Sequence, residues 1–271
     1  MLESTQERTD PAQATTSPSL EMIDVTIGSL VDAEAVVLEH VNWKVAAGEF
    51  WAIGGLQASG KSDFMATAAG IMPPLHGVFR IFGQELGAGF RHELLPTRLR
   101  LGLVFDGGRP LNHLTVAENV ALPIRYHRNL SLEEAESQTQ ALLEFTGLLD
   151  CADQTPGTMR RNLQQRIGLA RALALKPEVL LLDGPLNGLD PRESVWWLEM
   201  LERLRAGDPI LDGHALTLVV SGDNLRPWRE RAQQFALLKN QEFIVIGGRS
   251  ELNASPEPLL RELFRADLLN L

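Results

Sequence analysis

The chain has 271 residues, 44% of them hydrophobic, and a formal net charge of -10. That is enough apolar material for one large domain or two associated lobes, and the acidic balance argues against a nucleic-acid surface, which needs clustered Lys and Arg to neutralise phosphates. The single cysteine, Cys151, permits no internal disulfide and points to a reducing compartment, and no apolar run approaches the ~20 residues that span a bilayer, so a membrane role must come through a partner.

Residues 1–19, "MLESTQERTDPAQATTSPS", are polar, rich in Ser, Thr and Pro, and lack apolar periodicity, which predicts a disordered leader. Short β-type runs follow, "LEMIDVTI", "HVNWKV" and "EFWAI", the last leading straight into a Gly-rich loop. From Gly60, "GKSDFMATAAG" reads as a helix ending at Gly70, with "GVFRIFG" and "LRLGLVF" as further strands.

The middle third changes character. "TVAENVALPIRYH", "SLEEAESQTQALLEFTGL" and "RRNLQQRIGLARALAL" are helical patterns, and Ser131 with Glu134 forms a capping-box signature. "EVLLLD" then has the continuous apolar character of a buried parallel strand, followed by a helix from about Pro191 to Arg205 and by "ALTLVV", "FALLK" and "EFIVIGG" as strands. The expectation is an α/β core over 20–248 with a helical lobe inserted at about 107–175, then a helical tail over 249–271. In that tail Leu259, Leu260, Leu263 and Phe264 form an amphipathic pattern suited to packing on the chain's own domain or on a dimer mate. Adjacent Trp196 and Trp197 must point to different sides of their helix, one of them into the core. The six histidines show no metal-ligand spacing, and no role is assigned to them.

Gly55, Gly60, Lys61 and Ser62 satisfy G-x-x-x-x-G-K-[ST], with Leu56, Gln57, Ala58 and Ser59 between the glycines and Asp63 directly behind. In such a loop successive backbone N–H groups curl around phosphate oxygens, the lysine reaches the β and γ phosphates, and the hydroxyl ligates Mg2+. A strand before it and a helix after it are the context that the motif requires. A second apolar strand, "VLLLD", ends at Asp183, where an acid could hold the metal's water shell.

At this point the order of motifs resembles the nucleotide-binding subunit of ABC transporters, a P-loop NTPase cassette with a RecA-like core, an antiparallel β lobe and an inserted helical subdomain. The residues that carry the likeness are "GGLQASGKS", "GLVFDGGRPLNHLTVAENVALPIRYH", "QQRIGLARALALKPEVLLLDGPLNGLDP" and "TLVVSGDN", and it covers nearly all of 20–248. "LTVAENVALPIRYH" also looks like the Mla/Mce-type lipid transporters, and lipoprotein-export cassettes share it in part. The resemblance implies ATP and Mg2+ as ligands, a second cassette as homo- or heterodimeric partner, integral membrane permease subunits, and a peripheral place on the cytoplasmic side of a membrane. It predicts that a permease coupling helix docks near Asp106, Gly107, Gly108 and Arg109. A soluble kinase or a DNA-associated ATPase fits poorly, since "GLARAL" before "LLLDGP" has no place in kinases and no basic face is evident.

Four family positions are altered. Met159, Arg160, Arg161, Asn162 and Leu163 stand where the signature "LSGGQ" belongs; Gly184 replaces the glutamate that polarises water; Asp106 replaces the Q-loop glutamine; and Gly222 replaces the switch histidine. A glycine offers no base. Ser29 and Leu30 lie where the adenine-stacking aromatic is expected, Ala58 replaces a usual glycine, and Asp63 replaces a Thr or Ser that bonds the α-phosphate. Asp63 either faces the phosphates, repelling them, or turns its carboxylate away. Arg160 and Arg161 either form a solvated helix end or reach a partner's γ-phosphate. Two functional expectations follow: a transport ATPase in which other residues supply the missing chemistry, or a pseudo-ATPase that pairs with an intact cassette.

Overall fold

The computed structural model describes residues 17–32, 35–87 and 92–265. In chain order the strands are β1 (Leu20–Gly28), β2 (Val36–Val45), β3 (Phe50–Gly55), β4 (His76–Ile81), β5 (Gln84–Glu85), β6 (Leu101–Val104), β7 (Val179–Asp183), β8 (Thr217–Gly222), β9 (Gln234–Lys239) and β10 (Glu242–Gly247). The helices are α1 (Lys61–Ala68), α2 (Leu95–Arg98), α3 (Val116–His127), α4 (Leu132–Phe145), α5 (Arg161–Leu173), α6 (Pro191–Ala206), α7 (Arg249–Ala254) and α8 (Pro258–Leu263). Residues 1–16 of the expected leader and 266–271 of the tail lie outside the described residues. Ser19 already belongs to the fold: its N–H donates to Val45 and its carbonyl accepts from Phe82.

The strands join in the order β5-β4-β1-β2-β10-β9-β3-β8-β7-β6. β1, β2, β4 and β5 pair antiparallel, whereas β9, β3, β8, β7 and β6 are parallel neighbours. The expected α/β core, antiparallel β lobe and helical insertion are therefore all present. Every residue of β3, β7 and β8 is buried, which is why these strands read as unbroken apolar runs rather than as alternating ones.

Alternation survives as a choice between two cores. Phe50 and Ala52 of β3, Leu180 and Leu182 of β7, and Leu218 and Val220 of β8 face a core shared with α3, α5 and α6. Trp51 and Ile53, Val179 and Leu181, and Val219 face the opposite core, with α1 and the antiparallel lobe. Phe64 anchors α1 there, 4.9 Å from Phe243 in a stacked pair and 5.1 Å from Trp43. Such contacts each add about 0.5–1.5 kcal/mol beyond area burial, and they fix the helix that carries the phosphate motif.

The helices start on local signals, inside the helical lobe and after it. Thr115 with Glu118 and Ser131 with Glu134 form complete capping boxes on α3 and α4, and Asp190 caps α6 ahead of Pro191. Trp197 is fully buried while Trp196 lies under the Arg166 guanidinium at 3.9 Å, as their adjacency on one helix demands. Leu259, Leu260 and Leu263 of α8 pack on the chain's own core, with Leu263 against the bare face of Gly54 at the end of β3.

Candidate functional site

β3 turns into α1 through a loop whose backbone few side chains could follow. Gly60 caps α1 at φ +89, and a Cβ there would collide with Val37. A Cβ on Gly55 would collide with the Ser59 hydroxyl. Ala58 has φ +61, a left-handed conformation that costs a non-glycine residue about 1–2 kcal/mol. The loop keeps its curl despite the missing glycine, at the expense of local strain.

Lys61 folds back into this loop, its Nζ donating to the carbonyls of Gly55 and Leu56, each at 2.7 Å. Burial lowers its pKa, and the negative charges of Asp223, Asp183 and Asp106 oppose that shift. Ser62 Oγ donates to Asp183 Oδ2 at 2.6 Å, and Ser221 Oγ donates to Asp183 Oδ1 at 2.8 Å. The two residues assigned to the metal thus meet across the tips of α1 and β7. Ser221, unassigned from the sequence, completes them from β8; its position directly before Gly222 was the available signal.

Gln57 to Asp63, Asp106, Asp183 and Gly222 all line one cleft of about 840 Å³, together with Asn187 and Asp223. Gly55 and Leu56 contribute carbonyls to Lys61 from its edge. Gly184 has φ +55, donates its N–H to Ser221 Oγ and Ser221 O at 3.2 Å each, and has the Asn187 side chain lying where its own Cβ would project. Asn187 was not singled out from the sequence; nothing in its spacing marks it.

Asp63 lines the cleft, and its Oδ1 accepts the Leu30 N–H at 2.7 Å. The carboxylate thus stays near the phosphate loop while a backbone donor of the segment after β1 engages it. That segment presents Val31, 96% exposed, and Leu30 in place of a ring. Arg161 is exposed, like Arg160, but its side chain is engaged within the chain. Its Nη2 pairs with Asp106 Oδ1 at 2.5 Å and its Nε donates to the Asn187 carbonyl at 3.3 Å.

The residues present fit a nucleoside triphosphate with Mg2+. The Ser59 hydroxyl is buried without a partner inside the cradle, and Lys61 bonds backbone carbonyls that a phosphate oxygen could replace. Among the described residues no group of three or more His, Cys, Asp or Glu side chains could hold a metal alone. The Ser62 hydroxyl and the Asp183 carboxylate are the pair that would hold Mg2+ together with water and phosphate oxygens. No helix of the described residues is long and apolar enough to cross a membrane.

The profile of the ABC transporter family matches residues 38–187. A methionine import ATP-binding protein MetN from Brucella abortus is 34% identical over 193 residues, 71% of this chain and 51% of that protein. The MetN protein of Lacticaseibacillus paracasei is 28% identical over 229 residues, covering 84% of this chain and 63% of the relative. The chain thus spans about half to two thirds of the length of these curated relatives. Among solved structures, the dimeric ATP-binding cassette MJ0796 in a post-hydrolysis state with ADP and phosphate superposes with a TM-score of 0.71. It has 28% sequence identity, over 82% of this chain and 95% of that one. With the strand order, the phosphate loop and the Ser62–Asp183 pair already in place, these matches lead to one conclusion: the chain belongs to the ABC transporter family and has the fold of its ATP-binding cassette.

Proposed function

We propose that this chain binds Mg-ATP in the cleft, passes its nucleotide state to membrane permease subunits, and hydrolyses ATP poorly or not at all, so that it acts with an intact second cassette. Gly55 to Asp63 would hold the phosphates, and Ser62 with Asp183 the metal, which when bound neutralises phosphate charge. The single observation behind the impaired chemistry is Gly184. It follows Asp183 with no side chain, its backbone is left-handed, and the Asn187 side chain occupies the space a carboxylate stem would enter. Loss of a positioned general base lowers turnover by about 10²- to 10⁴-fold.

The cargo belongs to the membrane subunits. The relatives' names carry methionine import, while the resemblance of the Leu114–His127 segment to lipid-transport cassettes points to a lipid class. Positions near Asp106 to Arg109 are where a permease helix would dock, and a peripheral place on the cytoplasmic face follows from that partner.

Calorimetric titration of the chain with Mg-ATP, beside Lys61→Ala and with phosphate release followed in the same samples, tests the reading. Binding that depends on Lys61 without turnover is expected. Efficient Lys61-dependent turnover would contradict the proposal and direct attention to Asp223, a cleft carboxylate facing Lys61. No binding by the unaltered chain would reduce it to a scaffold.

A further inference from the structure

The cleft places one lysine, Lys61, among four carboxylates: Asp63, Asp106, Asp183 and Asp223. Asp63 accepts from a backbone N–H and Asp183 from two hydroxyls, bonds that bring no opposite charge. Among the described residues, Asp106 alone of the four is in an ion pair, and its cation comes from Arg161 at the first position of α5.

The surrounding backbone is shaped to this guanidinium. Gly107, Gly108 and Arg109 follow one another at φ +71, +73 and +43, and a Cβ on Gly107 would lie 3.1 Å from Arg161 Nη1. On the other side the Asn187 carbonyl accepts from Arg161 Nε at 3.3 Å. Further along the same helix, Arg171 Nη2 donates to the carbonyls of Gly108 and Arg109 at 3.0 and 3.1 Å. One helix therefore grips the loop bearing Asp106 at two points, and its first residue also holds the loop bearing Asn187.

We propose that Arg161 is a positioning residue of this chain's own nucleotide cleft, cancelling the Asp106 carboxylate that would otherwise oppose a bound triphosphate and setting the loop that carries Asn187. The inference rests on the reading that the cleft binds Mg-ATP. It assigns to Arg161 a role within its own subunit, in place of the partner-facing one weighed from the sequence.

The test is a set of Mg-ATP titrations of the full chain, each variant first checked by circular dichroism and thermal melting. Arg161→Ala is expected to weaken binding about three- to tenfold, the range for one uncompensated charge in a partly exposed site. Asp106→Asn, which leaves the cation in place, is expected to tighten it by a similar factor. The double variant should return close to the starting affinity, and all three differences should shrink at ~0.5 M salt as screening sets in. A merely structural role would not give rescue by Asp106→Asn. Unchanged affinity in Arg161→Ala, or a double variant as weak as Arg161→Ala, overturns the proposal while leaving nucleotide binding intact. If Arg161→Ala does not fold, unchanged affinity in Asp106→Asn overturns it instead. Failure of the unaltered chain to bind, read first, removes the nucleotide reading and this one with it.

Discussion

Gly184 combines two constraints of different kinds. The φ of +55 disfavours any residue with a Cβ, and the Asn187 side chain fills the space such a residue needs. Asn187 can swing aside because only its amide is in the way; the backbone cannot relax so cheaply. Restoring the family's acid by Gly184→Glu should therefore lower stability by about 1–2 kcal/mol, read as a shift in the urea midpoint, without restoring phosphate release. A variant that gains turnover and keeps its stability would show that the backbone adapts. The absence of a carboxylate at 184 was legible in the sequence, but its φ and the nearness of Asn187 were not. The same holds for Arg161 and Asp63: sequence showed odd residues at functional positions, while their partners, Asp106 and Leu30, lie far away along the chain and meet them only once the loops are folded.

At the level of elements, the strands and helices with a clear period were legible, because burial on one or both faces dictates their residue types. β5, with two residues, and α2, with four, were not, since neither is long enough to show a period. The packing of α5 on the loop after β6 was also invisible beforehand, and it decides the sign of a substitution. Gly168 lies inside α5, where Ala is ordinarily better by about 1 kcal/mol. Here a Cβ would come within 2.7 Å of the Gly108 Cα and 2.9 Å of the Gly108 carbonyl oxygen, both backbone atoms. Gly168→Ala is thus expected to destabilise by about 1–3 kcal/mol, the range for overpacking, despite its better helix propensity. A thermal midpoint that rises would mean that this loop gives way easily.

Across the molecule, ion pairs tie segments distant in sequence. Hydrogen bonds from Arg100 hold Glu178 below the usual carboxylate range, Lys176 does the same for Asp212, and Lys239, with the Leu259 N–H, does so for Glu257. Because these carboxyls are stronger acids folded than unfolded, their contribution is fully present above the unfolded values near ~4 and is lost as pH falls through the lower folded ones. The urea midpoint should be level from about pH 7 to pH 5 with respect to these groups and drop below about pH 4, less steeply in high salt. A midpoint unchanged down to about pH 3 would mean that the pairs contribute nothing. The position of β3 has a further consequence, one concerned with time. Its neighbours are β8 and β9, which begin only at Thr217 and Gln234, so on the ribosome an entirely apolar strand emerges long before either of its pairing edges can be satisfied. Until those late strands arrive, the phosphate loop has no floor to stand on, and both edges of that strand stay open to pairing with another chain's.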